Sequence, residues 1–137
     1  MDQSINPTAE QIRSLRDAGP ECPIVMVNLL KFREQADYPV GGSEPGCSGR
    51  EAYARYEQAF RQTIDSVSRA EIIFRGSVNQ VFIGQMNASS TDWDDVFVVR
   101  YPSREHFFEM MADPAYREAL VHRSAGLERT ILLQCNG

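Results

Sequence analysis

Two stretches decide the fold: Ile24 to Phe32, IVMVNLLKF, and Asp95 to Tyr101, DVFVVRY. Both are dominated by β-branched and large apolar side chains. Pro23 precedes the first and Pro102-Ser103 follows the second, so each reads as a strand. Side chains alternate between the two faces of a strand. In the first stretch Ile24, Met26, Leu30 and Phe32 share one face, while Val25, Val27 and Leu29 make the other face apolar too. A strand that is apolar on both sides has to be covered on both sides.

Upstream, Asn6-Pro7 followed by Glu10 reads as a helix start, with Ile12, Leu15 and Ala18 as a thin apolar stripe that Gly19-Pro20 ends. Downstream, Arg33 to Gly49 contains Pro39, Gly41, Gly42, Pro45, Gly46 and Gly49 and has no periodicity; it reads as a flexible lid or insertion. Ser48 with Glu51 fits a capping box, and the helix it opens carries Tyr53, Tyr56, Phe60, Ile64 and Val67 on one stripe to about Ser68. Glu71 to Arg75 and Val78 to Met86 are extended runs separated by Gly76-Ser77, which is either a tight turn or a bulge in one bent strand. Ser103 caps a helix containing Phe107, Phe108 and Met111. Asp113-Pro114 then starts a second segment with Tyr116, Ala119, Leu120 and Leu127 on one stripe, and Thr130 to Cys135 is a closing strand.

This order predicts an α+β fold: a ferredoxin-like βαββαβ sandwich with an antiparallel sheet and an extra N-terminal helix. The whole chain, 1–137, is one domain, with a helical extension at 1–22, a core at 23–135 and the insertion at 33–49. Two principal helices cover one sheet face. A second copy of the same sheet is the simplest cover for the other, so a homodimer closing into a dimeric α+β barrel is expected.

Composition narrows the function classes. Apolar and aromatic residues make up 42% of the chain and charged residues 24%, which describes a folded protein. The net charge of −5 and the lack of any Lys/Arg-rich run argue against nucleic acid as a partner. The opening residues do not read as a secretory signal and no apolar run approaches membrane-spanning length, so no membrane association and a cytoplasmic location are expected. Cys22, Cys47 and Cys135 are odd in number and widely spaced, which predicts reduced thiols and no zinc site.

The segments PIVMVNLLKF at 23–32, Tyr53 with Tyr56, WDDVFVVRYPS at 93–103 and Asp113-Pro114-Ala115-Tyr116 together resemble a bacterial family, domain of unknown function 1330 (DUF1330). That family belongs to the dimeric α+β barrel superfamily. The likeness runs from about Ile24 to Cys135, and the Trp93 to Ser103 block is its most specific part. The chain departs from the family pattern in three places: Arg75-Gly76-Ser77 where a Gly-Gly pair is common, the long 33–49 segment, and the leading helix. The resemblance implies a fold and a dimer and no reaction, because the family has no established activity. More distant barrel relatives include cofactor-free monooxygenases, lactone isomerases and haem-binding peroxidases, among which fold cannot choose.

The polar residues placed among apolar ones are the candidates for a ligand site. Asn28 shares a strand face with Met26 and Leu30, so its amide is either a satisfied structural group or one offered to a ligand. Arg100 lies on the face of Val96 and Val98. If buried it needs an anion, either the carboxylate of Glu71 on a neighbouring strand or a ligand. Arg123 falls on the stripe of Tyr116, Leu120 and Leu127, where it either snorkels or meets a ligand. Asn28, Arg100, Tyr116 and Arg123 would anchor a small aromatic or aliphatic acid in a mostly apolar cavity. Trp93 reads either as a plain core anchor or as an aromatic wall at the rim, where Asp94 or Asp95 would serve as a base. His106 with Glu109 reads as a surface pair, His122 as a solvated side chain, and Tyr53 and Tyr56 as core; no metal and no cofactor are predicted. Catalytic residues stay unassigned. The competing readings are a cofactor-free monooxygenase- or isomerase-like enzyme, a non-catalytic binding protein, and a structural homodimer with a filled interior.

Overall fold

The two central stretches pair with each other. In the computed structural model, which describes residues 5–40, 46–85 and 93–137, strand β1 (Ile24–Phe32) lies antiparallel to β3 (Asp95–Tyr101), in a register running from Ile24 opposite Tyr101 to Leu30 opposite Asp95. Strand β4 (Leu127–Asn136) takes the free side of β1 and β2 (Glu71–Ser77) the free side of β3. The result is a four-stranded antiparallel sheet in the order β2-β3-β1-β4, the ferredoxin-like arrangement, and it is open rather than closed within the chain.

The helices all lie on one face. Helix α2 (Gly49–Gln62) begins at the Ser48–Glu51 capping box, with both reciprocal hydrogen bonds formed, and ends in a π-helical turn, Ile64–Ser68, which Arg69 terminates in the left-handed region. Helix α3 (Arg104–Ala112) is capped by Ser103 and α4 (Pro114–Glu118) by Asp113. Ile24, Met26, Leu30, Phe32, Phe97, Val99 and Tyr101 from the sheet and Tyr53, Tyr56, Phe60, Met110 and Tyr116 from the helices form the core between these layers. The opposite sheet face carries Val25, Val27 and Leu29, Val96, Val98 and Arg100, Phe74, and Ile131 and Leu133. Nothing among the described residues covers it, and Phe74 and Leu133 are half exposed.

Four expectations change. The leading helix, α1 (Ala9–Arg16), is capped by Thr8 in a capping box with Gln11, two residues beyond the expected start. The run from Val78 is not a strand among the described residues. The Val78 N–H still donates to Asp94 O at 2.9 Å, but β3 begins at Asp95 and offers no further partner, so Phe82 and Ile83 project into solvent; Met86 lies outside the described residues. The irregularity in β2 falls between Ile72 and Phe74 rather than at Gly76-Ser77. Finally, the segment after Asp113 is two short helices, α4 and α5 (Leu120–Gly126), and Leu127 opens β4 instead of closing a helix.

Gly126 sits where α5 gives way to β4. A Cβ placed there would lie 2.5 Å from Gly49 O and 2.9 Å from Tyr53 N. The start of α2 therefore touches the end of α5 backbone to backbone, a contact only glycine permits. The same junction ties down both ends of the 33–49 segment: Arg33 N–H donates to Gly126 O, and Gly49 N–H to Arg33 O. Residues 41–45 of that segment lie outside the described ones.

Candidate functional site

A cavity of about 690 Å³ lies between the helix-side face of the sheet and the helices, within the range of roughly 300 to 1,000 Å³ typical of small-molecule sites. Its floor is built by Met26, Asn28, Phe97 and Val99; its walls by Tyr53, Tyr56 and Phe60 of α2, by Phe107, Met110 and Met111 of α3, and by Tyr116 and Arg123. Helix α1 closes the top with Ile12 and Leu15, and Ala18 just beyond it adds to the roof. No residue of α1 is buried, although it covers an apolar chamber.

Each polar group in this chamber has a definable remaining capacity. Asn28 Nδ2 donates to Phe97 O at 2.9 Å, which occupies one of its two protons; the other proton and Oδ1 have no partner among the described residues. The hydroxyls of Tyr56 and Tyr116 are 2.6 Å apart. One donates to the other, so the pair keeps a single O–H to offer elsewhere. Tyr53 is 2% exposed and its hydroxyl has no partner among the described residues. Burial pushes the phenols of Tyr53, Tyr56 and Tyr116 upward, and the nearby positive charge of Arg123 opposes that rise. All three therefore stay neutral hydrogen-bond donors.

Arg123 is the one charged side chain among the described residues lining the cavity, and no carboxylate lines it. Its Nη1 donates to Ile5 O at 2.6 Å, with Asn6 Oδ1 at 3.5 Å. Nε and Nη2 have no partner among the described residues.

The structure thus brings together Asn28, Tyr116 and Arg123 and separates the other three candidates from them. Arg100 sits on the uncovered sheet face. Glu71 stands opposite it in the strand register, yet no ion pair within 4 Å joins them. Trp93 lies away from the cavity with the Arg129 guanidinium 4.6 Å above its ring. The rim base expected at Asp94 or Asp95 is not there. Asp94 accepts from Phe32 N–H at 2.8 Å and faces Lys31. Asp95, 1% exposed, is held by Arg75 at 2.6 Å and Arg50 at 2.8 Å. Burial pushes its carboxyl up, but the hydrogen bonds from the two guanidiniums outweigh this and keep it below the ordinary value.

His122 is not simply solvated: its Nδ1 lies 2.6 Å from the hydroxyl of Tyr38, which also accepts from Arg55. The Oγ of the helix cap Ser103 accepts from His106 N–H and lies 2.7 Å from His106 Nδ1. No group of three or more metal-ligating side chains occurs among the described residues, and no described helix is long and apolar enough to cross a membrane.

Sequence reasoning assigned Tyr53 and Tyr56 to the core and so missed these two of the four tyrosines that line the cavity. The available signal was their chemistry: a buried stripe that uses tyrosine where phenylalanine would fill the same space must accommodate hydroxyls.

The family model described as a domain of unknown function (DUF1330) matches residues 47–134, leaving β1 outside the matched span. Two solved structures are similar along almost their whole length. One is of a methylated RPA0582 protein, with 34% identity and a TM-score of 0.87 over 100% of this chain and 96% of that one. The other is of the RPA0582 protein of unknown function from Rhodopseudomonas palustris, with 33% identity and a TM-score of 0.85 over 98% and 97%. A dimeric protein of unknown function with a ferredoxin-like fold, from Bacteroides fragilis NCTC 9343, matches at 15% identity and a TM-score of 0.52 over 84% and 96%, a likeness of fold alone. No curated protein matches the chain.

Proposed function

We propose that this chain, which belongs to the family described as a domain of unknown function (DUF1330), binds a small, mostly apolar organic acid in the cavity between its sheet and helices. The observation that carries this reading is a lone guanidinium in an apolar chamber whose described walls contain no carboxylate. A half-buried cation in such a place favours an anion, and two of its nitrogens are uncommitted among the described residues. The carboxylate of a ligand would meet Arg123 and the spare hydroxyl of the Tyr56–Tyr116 pair. The ligand's apolar body would lie among Phe60, Phe97 and Met110, and Asn28 would receive a second polar group. A cavity of this size tells against a filled interior.

The walls supply donors and no base among the described residues, which favours binding over turnover. Asn28 and the tyrosine hydroxyls would suit an enolate in a cofactor-free oxygenation or isomerisation, but a proton acceptor would then have to come from the substrate or from solvent. The chain acts as a homodimer in this reading, the uncovered face of Val27, Val98 and Leu133 packing on its copy in a second chain. The dimeric description of the Bacteroides fragilis protein supports this.

Titration calorimetry with a panel of aromatic and branched aliphatic carboxylic acids tests the site. At least one acid should bind wild type, with affinity about tenfold lower in Arg123→Gln, the loss of one charge-assisted hydrogen bond. A panel without a binder, or equal affinity in the variant, overturns the proposal.

A further inference from the structure

Residues 5–21 are fastened to the rest of the chain by an arginine at each end. At the far end, the buried Arg104 donates from Nη1 to Pro20 O at 3.1 Å and from Nη2 to Gly19 O, and its backbone N–H donates to Glu21. Gly19, with φ of +110°, holds a conformation that side-chain-bearing residues rarely adopt. Between these anchors α1 has no buried residue, yet Ile12, Leu15 and Ala18 roof the cavity. At the near end the anchor is Arg123, through Ile5 O. The roof is therefore pinned firmly at Gly19-Pro20 and latched at Ile5 by the same side chain that faces the cavity.

We propose that Arg123 is a two-sided clamp, Nη1 holding the N-terminal segment and Nε and Nη2 holding the ligand's anion, so that α1 is a lid whose closure is coupled to occupation of the cavity by an acid. The inference rests on the acid-binding reading above and adds that the lid senses the charge of what lies beneath it. The planar guanidinium makes this possible, because its donors point in fixed and different directions and one engagement pre-orients the others. Among the described residues the Arg123 guanidinium meets only neutral oxygens, Ile5 O and Asn6 Oδ1. A carboxylate on the opposite edge fixes the guanidinium in place and lowers the freedom the latch must overcome, so anion and lid favour each other reciprocally. A neutral ligand of the same shape fills the chamber without engaging the clamp.

Two isosteric probes separate the possibilities: 2-naphthoate and 2-naphthamide, with hydrogen exchange at the amides of residues 9–18 read by mass spectrometry on the full chain. Naphthoate should slow exchange across α1 about tenfold at saturation, and naphthamide should leave it nearly unchanged even at full occupancy. In Arg123→Lys, where a single ammonium cannot serve both sides in the same geometry, exchange in α1 should be faster than wild type without probe, and naphthoate should give little protection. Naphthoate binding with no change in α1, equal protection by both probes, or undiminished protection in Arg123→Lys would each overturn the clamp while leaving the acid site standing. Failure of both probes to bind wild type removes the acid site and the clamp together. The wild-type comparison of the two probes does not depend on the variant folding.

Discussion

Tyr56 and Tyr116 face each other across the cavity wall with their hydroxyl oxygens 2.6 Å apart. One residue comes from α2 and the other from α4, so this bond joins two helices of the single layer that the fold brings over the sheet. It also uses one of the two hydroxyl protons and leaves the other for a ligand.

Replacing Tyr116 by Phe should cost about 1 kcal/mol of stability, the usual worth of a buried neutral hydrogen bond. The double variant Tyr56→Phe/Tyr116→Phe should be no worse than the sum of the singles less that coupling, because it strands no hydroxyl. Urea melts of the three variants measure this. Additive single and double effects would show that the hydroxyls do not interact.

Asp95 joins two guanidiniums under the end of the sheet. Asp95→Asn should destabilise by about 2 to 3 kcal/mol, less than for a fully buried ion pair because Arg50 remains 55% exposed. The sign of the pH effect follows from its depressed carboxyl. Its contribution is present above the ordinary value of 3.8 and lost as pH falls through the lower folded value. Wild type should therefore lose stability toward acid more steeply than Asp95→Asn, which thermal melts between pH 6 and the acid limit would read.

Burial raises the phenols of Tyr53, Tyr56, Tyr101 and Tyr116 above the ordinary 10.0. A group raised on folding stabilises fully below its unfolded value and withdraws that stability as pH climbs through the folded one. Four of the five tyrosines should accordingly resist ionisation until the chain opens. Absorbance at the phenolate band and circular dichroism should change together above pH 10. Early, independent ionisation of these four would contradict their burial.

Adding a methyl group at Gly126 forces Gly49 O and the Tyr53 backbone aside. Gly126→Ala should cost about 2 to 3 kcal/mol, at the upper end of overpacking effects. A variant as stable as wild type in denaturant would mean that α2 and α5 can part without loss.

If the uncovered sheet face packs on a second copy, Val98→Asp should place a charge in that contact and halve the mass found by sedimentation at micromolar concentration, with circular dichroism unchanged. A wild-type chain of single mass would remove the dimer.

Much of this architecture is legible in the sequence, and the reason differs by element. β1 and β3 are read from composition because both faces are apolar, and α2 from the Ser48–Glu51 box, which forms as written. The run after Val78 misleads because Val81, Phe82 and Ile83 have strand chemistry but no adjacent strand, a fact about topology rather than about those residues. The helical segment after Asp113 ends, before Leu127, where Gly126 meets Gly49, a contact between positions 77 apart that no local pattern encodes. For the site, period-two and helical spacing place Asn28, Tyr116 and Arg123 on inward faces, and they meet. The same spacing puts Arg100 beside Val96 and Val98 without saying which side of the sheet the helices choose. The double use of Asp95 by Arg50 and Arg75 is invisible for the same reason: all three are distant in the chain.

The described lining of the chamber contains no aspartate, glutamate, histidine, lysine or cysteine. Its guanidinium is always charged and its phenols always neutral across the range in which cells live. If the chamber takes an acid as proposed, its described lining is electrically constant and any acidity dependence of uptake would originate in the guest: a molecule would be captured in its ionised form and released by protonating itself, so the binding curve should track the titration of the acid rather than of the protein.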